Sequence, residues 1–273
     1  STNTKLVAIN HISNVLGVIN PINEISALAK AYGAKILVDG AQSAASIKVD
    51  VQSLGIDFYV CSSHKMYGPT GVGVLYGKQA LLESMPPYQT GGEMIARVTR
   101  EETSFNKLPF KFEAGTPNIA GVVAFSAALR FIEDYRLREL PYKQQLIDHA
   151  YALLSSIPEV TFLVEGKPDL PIFSFTLPQH LQDIAAFLDG KGIAVRAGSL
   201  CAMPLMQSKG IEGCIRVSLA PYNTTEEIDY FVQVLKQAIS FDKKLVSELP
   251  ETKKQEALDK ILQAFTEASG WDS

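Results

Sequence analysis

The chain reads as an α/β protein whose first domain alternates strands and helices around an open sheet and is followed by a smaller α+β domain. Short apolar runs alternate with helix-spaced segments through the first half. After about residue 140 the order changes to helix, strand, strand, helix, strand, strand, helix. A length of 273 residues with 47% hydrophobic content also exceeds what one ordinary domain needs. The expected division is residues 1–135, residues 136–243 and a helical extension over 244–273.

Residues 6–9 are apolar and short, as a strand requires. Ile22, Ile25, Leu28 and Ala29 share one face of a helix predicted over 22–32, and Gly33 stands where a left-handed residue ends such a helix. Strands are expected at 36–39, 58–61 and 72–76. Turn signals dominate from 77 to 118, with Pro86-Pro87, Gly91-Gly92 and Gly115-Thr116-Pro117, before a long helix from Ile119 to about Tyr135. The second half adds strands at 160–164, 172–176, 194–197 and 214–218, and helices at 181–191 and 225–241. Thr224 or Thr225 is suited to cap the last of these, with Glu226 and Glu227 in its first turn. A charged stretch, 242–254, then precedes Ala257, Leu258, Ile261, Leu262 and Phe265, whose spacing predicts a final amphipathic helix packed on the core.

Composition narrows the function classes. A formal net charge of -4 and the lack of any Lys/Arg run offer no basic face to nucleic acid. No apolar run reaches the roughly 18 residues of a membrane span, and residues 1–20 lack the basic-then-apolar order of a leader. Cys61, Cys201 and Cys214 form neither a C-x-x-C pair nor an even disulfide set, which fits a reducing compartment; a soluble, cytoplasmic protein is expected. The histidines, at 11, 64, 149 and 180, are scattered, so no metal site is expected.

The segment 58–71, FYVCSSHKMYGPTG, presents Lys65 between a strand-like run and a Gly/Pro-rich turn. Ser62, Ser63 and His64 supply hydrogen-bond donors beside the amine, a setting suited to an anionic ligand. A desolvated lysine there would act as a nucleophile or Schiff-base former; an ordinary loop lysine is the alternative. Asp39 ends the run ILVD, so both residues are expected at the carboxyl ends of strands, where open α/β sheets bind ligands. A carboxylate so placed either pairs with a protonated pyridine nitrogen or caps an Asp-Gly turn.

Further segments share this character: NHISNVLG (10–17), VDGAQS (38–43), SSHKMYGPTGVGVLYG (62–77), GGEMI (91–95), FEAGTPN (112–118), RAGSLCAMPLM (196–206) and RVSLAPYNTTEEID (216–229). With them the sequence resembles the class V aminotransferase group, and within it the cysteine desulfurases of the selenocysteine-lyase-like branch. The resemblance implies a pyridoxal phosphate (PLP)-dependent transferase of aspartate aminotransferase-like fold. It also implies a homodimer that converts L-cysteine to L-alanine and passes persulfide sulfur to an acceptor protein in iron-sulfur cluster assembly.

By the same resemblance, Lys65 is the lysine that holds PLP covalently and moves the substrate Cα proton. Asp39 is the pyridine-nitrogen partner, Gln42 bonds the phenolic oxygen, and Ser62 and His64 contact the phosphate. Thr116 is the phosphate contact supplied from the second subunit, and Asn14 and Arg216 grip the substrate carboxylate. Cys201 is the catalytic cysteine that takes the sulfur. Independently of the resemblance, Arg196, five residues earlier, is placed to give that thiol the electropositive setting a thiolate favours, and it is grouped with Asn14 and Arg216 as substrate-binding. Cys61 and Cys214 keep a structural reading, and His11 is taken as a nearer-surface companion without a role.

The chain departs from that pattern in two ways. Where the branch usually has Gly-His-His before the cysteine, this chain has Gly198, Ser199 and Leu200. It also opens within the family's large domain, so the resemblance implies an N-terminally incomplete chain, with open sheet edges and weak cofactor retention on its own. Selenocysteine lyase, a carbon-sulfur lyase, and a non-catalytic remnant that dimerises or binds sulfur-acceptor proteins are the competing readings.

Overall fold

The structure, a computed structural model, describes residues 2–138 and 140–248. They fall into two compact units: residues up to Gln145 together with Pro168–Ile172, and Leu146–Lys167 together with residues from Phe173 on.

In the first unit, β1 (Leu6–Asn10), β2 (Lys35–Asp39), β3 (Phe58–Ser62) and β4 (Gly73–Gly77) form one sheet in that order. β1, β2 and β3 are parallel, and β4 runs antiparallel to β3. A parallel crossover needs a long connection, which α1 (Ile22–Ala31) supplies between β1 and β2. α1 ends as Gly33 predicts: that residue has φ 70°, and the Ala34 N–H reaches back to the Ala29 carbonyl at 2.9 Å. The core joins Ile22 and Ala29 of α1 to Ile36, Val38, Ile56 and Tyr59 of the sheet region. Phe125, Ala128 and Ile132 complete it from α4 (Ile119–Arg138), so position 135, the sequence-derived boundary, lies inside a helix.

The loop-rich stretch contains α3 (Gln79–Ser84) and a hairpin of β5 (Ile95–Val98) and β6 (Thr103–Phe105), and α2 (Ser43–Ser46) follows β2. β1 and β4 are the edges of the four-stranded sheet, with Leu6, Val74 and Leu75 about half exposed.

Asp57 ties the other end of this sheet together. Its buried carboxylate accepts the Ile36 N–H at 2.9 Å and Lys78 Nζ at 2.7 Å, so a single side chain links the starts of β2 and β3 to the end of β4. Burial alone would raise its pKa. The Lys78 and Ile36 hydrogen bonds, with the charges of Lys78 and Lys35, outweigh that and hold it below the ordinary carboxylate range.

The second unit carries a sheet in the order β7 (Thr161–Phe162), β8 (Ile172–Thr176), β10 (Cys214–Ser218), β9 (Arg196–Gly198). The pairs β7/β8 and β9/β10 are antiparallel. β8 buries its first four residues, Ile172, Phe173 and Phe175 with the polar Ser174 between the two aromatics. α5 (Leu140–Ser155), α6 (Leu181–Asp189), α7 (Met203–Ser208) and α8 (Thr225–Glu248) complete the described helices. Leu146, Leu154, Ile184, Leu188, Phe231 and Leu235 lie buried with Phe173, Phe175 and Ile215 of the strands.

Thr224, rather than Thr225, caps α8. Its Oγ1 accepts the Glu227 N–H at 3.2 Å, and Glu227 Oε2 accepts the Thr224 N–H at 3.0 Å, a reciprocal capping box. The strand expected at 160–164 is only two residues long, and α8 continues into the charged stretch as far as Glu248. The helix expected around 257–265 lies outside the described residues.

Replacing Asp57 by Ala strands two donors and is expected to cost about 2 kcal/mol in denaturant unfolding. The pH dependence has a fixed sign. A depressed folded pKa contributes stability above the unfolded value, near pH 4, and that stability is lost as pH falls through the folded value. The stability gap between wild type and Asp57→Asn should therefore shrink on acidification, and a gap that widens would contradict the assignment.

Candidate active site

In the ladder, Asp39 is opposite Asn10 on β1 and Val60 on β3, so the carboxyl ends of three parallel strands come to one edge. The chain leaves each strand through a turn. After β1, the His11 N–H donates to the Asp39 carbonyl at 2.8 Å, and Ser13 Oγ accepts the Val15 and Leu16 N–H groups at 3.3 and 3.0 Å. Asn14 sits inside that turn, half-buried.

After β2, the backbone passes directly against Tyr59. A Cβ built on Gly40 would lie 1.9 Å from the tyrosine ring, so only glycine fits. The Tyr59 hydroxyl shares a 2.8 Å hydrogen bond with Ser43 Oγ, fixing the turn from below. Asp39 is exposed, and its Oδ1 accepts the Ala41 N–H at 2.8 Å. The two sequence readings of Asp39 are thus compatible: one oxygen holds the turn while the carboxylate stays available at the edge. Gln42 follows, half-buried, at the start of α2.

After β3, Ser63–Lys65 form a single 3-10 turn. Buried Ser63 organises it: its N–H donates to the Val72 carbonyl at 3.0 Å, and its carbonyl accepts the Met66 and Gly68 N–H groups at 2.8 and 3.0 Å. Met66 is also buried, so His64 and Lys65 are held outward between two inward anchors, next to half-buried Ser62. Lys65 is exposed.

Thr116 is exposed in the loop before α4, where the Gly115 N–H donates to the Gly92 carbonyl at 2.9 Å. No hydrogen bond among the described residues joins Thr116 to Lys65. His11 is buried rather than near the surface, and burial holds its imidazole pKa below the usual value.

The second unit brings together the other candidates. Arg196 and Arg216 stand directly opposite each other on β9 and β10. Like charges in that arrangement repel. Burial of Arg216, then the charge of Arg196, press its guanidinium below its usual pKa, while the Cys214 and Cys201 thiols act in the other direction. Arg196 Nη2 also donates to Cys201 Sγ at 3.6 Å. Two facing cations beside a sulfur form a receptor for an anion such as a carboxylate. Cys201 is exposed, whereas burial pushes the thiols of half-buried Cys61 and buried Cys214 up, only partly opposed by hydrogen bonds to Val74 and Ser174 respectively. A nucleophilic thiol must be accessible, so Cys201 is the suited one.

Leu200 and Cys201 both have positive φ, 55° and 60°. The Ala202 N–H closes a turn over them onto the Ser199 carbonyl at 2.9 Å. A left-handed leucine costs about 1–2 kcal/mol, and burying a leucine side chain returns about 1.5–3 kcal/mol. Leu200 is only 3% exposed, so its burial is large enough to offset the strain.

Sequence reasoning did not identify Tyr59, Ser63, Met66 or Leu200 as supports of the site. Their signal was an apolar or small residue flanking each candidate. This unit also has a cavity of ≈ 320 Å³ lined by Ala150, Leu154, Ile193, Val217, Phe231 and neighbours; neither Cys201 nor the arginines line it. Among the described residues no cluster of three or more metal-ligating side chains occurs, and no helix is long and apolar enough to cross a membrane.

Known proteins share this organisation. The family profile described as Aminotransferase class-V matches residues 1–231. A protein named cysteine desulfurase from Escherichia coli O127:H6 is 48% identical over 238 residues, which is 86% of this chain and 58% of that protein. The crystal structure of the Escherichia coli cysteine desulfurase CsdA, in an S-sulfonic acid form, matches with TM-score 0.84 and 37% identity over 88% of this chain and 60% of that one. A C-DES mutant with glycine covalently linked to its PLP cofactor matches with TM-score 0.74 and 26% identity, covering 86% of this chain and 61% of that one. The chain thus spans 58% of the length of the curated relative it matches. With a family-profile match over residues 1–231, the chain belongs to the class V aminotransferase family.

Proposed function

We propose that the protein is a PLP-dependent cysteine desulfurase, which converts L-cysteine to L-alanine and leaves the removed sulfur as a persulfide on Cys201. The observation that carries this reading is exposed Cys201 bonded to Arg196, beside the cross-strand pair Arg196 and Arg216. The names and the 37–48% identities of the relatives support it.

The donor set at the sheet edge fits PLP. An aldehyde requires an accessible primary amine, and Lys65 is exposed; a pyridine nitrogen requires a carboxylate, and Asp39 is exposed on the adjacent strand. Ser62 and His64 would hold the phosphate, with Thr116 of a second copy, and Gln42 the phenolic oxygen. When bound, the cofactor supplies the electron sink for carbon-sulfur cleavage, which no side chain offers.

The chain's own residues supply the rest. Arg216 grips the substrate carboxylate with its planar fork, aided by Asn14. Lys65 Nζ takes and returns the proton at the substrate Cα. Cys201 Sγ attacks the substrate sulfur: the sulfur-sulfur bond forms, the carbon-sulfur bond breaks, and its electron pair and a proton remain with the carbon. Enzyme thiol and cysteine thus become enzyme persulfide and alanine, with no external oxidant.

The protein is further proposed to act as a homodimer in the cytoplasm, passing sulfur to an acceptor protein for iron-sulfur cluster assembly. Its three free thiols support a reducing compartment.

Supplied with PLP, the chain is expected to release alanine from L-cysteine, and Cys201→Ala to reduce that release to background. Undiminished turnover in the variant would refute the persulfide route, and pyruvate in place of alanine would indicate a carbon-sulfur lyase. Lys65→Ala should lose the PLP absorbance band and slow alanine formation on the order of 10²–10⁴-fold. Arg216→Lys keeps the charge but loses the fork, so KM for cysteine should rise roughly tenfold with a smaller change in kcat; an unchanged KM would remove Arg216 from carboxylate binding.

A further inference from the structure

We infer that Leu200 is a positioning residue: its buried side chain anchors a left-handed two-residue turn and thereby fixes Cys201 Sγ against Arg196. This deepens the reading of Cys201 as the residue that receives sulfur, and its consequence for catalysis rests on that reading.

The turn from Ser199 to Ala202 has positive φ at both central residues, 55° at Leu200 and 60° at Cys201. That is the type I′ pattern, which ordinarily calls for Gly, Asn or Asp at both places. Neither residue here belongs to that set, so something outside the turn must hold it. The two side chains are sorted oppositely: Leu200 is 3% exposed and Cys201 is exposed.

The turn is then continued into a fixed element. The Ala202 carbonyl accepts the Leu205 and Met206 N–H groups at 3.0 and 3.1 Å, and Met206 of α7 is itself 2% exposed. In sequence, the exposed Cys201 thus falls between two buried apolar residues, Leu200 before it and Met206 after it. On the strand side, β9 carries Arg196, whose Nη2 meets the thiol at 3.6 Å. With Leu200 removed from its pocket, nothing in the turn's own chemistry favours the left-handed pair, and the contact with Arg196 is lost.

The test is a double-mutant cycle on Cys201 alkylation by iodoacetamide, read at the Cys201 peptide by mass spectrometry, and it needs no turnover. In the wild-type background, Arg196→Gln is expected to slow alkylation roughly three- to fivefold, the size of an exposed charge interaction. In the Leu200→Ala background the same substitution should have almost no effect, because alanine removes the anchor and, unlike glycine, does not itself favour positive φ. Leu200→Met, which keeps apolar volume, should restore most of the Arg196 effect. An Arg196 effect that persists in full in Leu200→Ala, or its absence from the wild type, would overturn the inference. Wild-type alanine release from cysteine, measured in parallel, decides the functional reading separately.

Discussion

The candidates at the sheet edge of the first unit depend on the register of the parallel strands. Asn10, Asp39 and Val60 are ladder partners, so the turns after β1, β2 and β3 open at one edge. A slip of one residue would turn Asp39 to the other face of the sheet. The opposite ends of the strands are held by Asp57, whose carboxylate joins Ile36 and Lys78. Gly40 against Tyr59, and Ser63 beneath the 3-10 turn, then convert the register into a display of Asp39, His64 and Lys65. Stability at one end of the sheet and chemistry at the other are linked through the strands themselves.

The second unit shows the reverse balance. Facing arginines on β9 and β10 cost the isolated unit through repulsion and, for Arg216, through burial. A left-handed Leu200–Cys201 pair adds backbone strain. Both costs fall at the same loop. An anionic ligand between the arginines relieves the first, and Leu200 burial offsets the second. Backbone strain and like charge thus gather around one exposed thiol.

Much of this was legible in the sequence, because periodicity and turn chemistry are local. The strands, α1 with its glycine end, and the cap on α8 follow from patterns a few residues long. The segment around Lys65 was legible for the same reason. Long-range pairing was not. Arg196 and Arg216 are 20 residues apart, and nothing in their spacing says that they face each other. The β5/β6 hairpin and α2 were missed because strands of three or four residues and a four-residue helix carry almost no periodicity. His11 was misjudged in exposure, since a residue's burial at a strand end depends on what packs over it. Leu200 looked like a loss when compared with Gly-His-His, whereas its burial gives it a structural task of its own.

The most direct test is to locate the sulfur. The protein would be loaded with PLP, given one equivalent of L-cysteine, alkylated and digested, and each cysteine peptide weighed for an added sulfur atom. The account predicts that the extra sulfur appears on the Cys201 peptide and on neither the Cys61 nor the Cys214 peptide. Alanine formed with the sulfur on either of those cysteines, or on no cysteine at all, would contradict it.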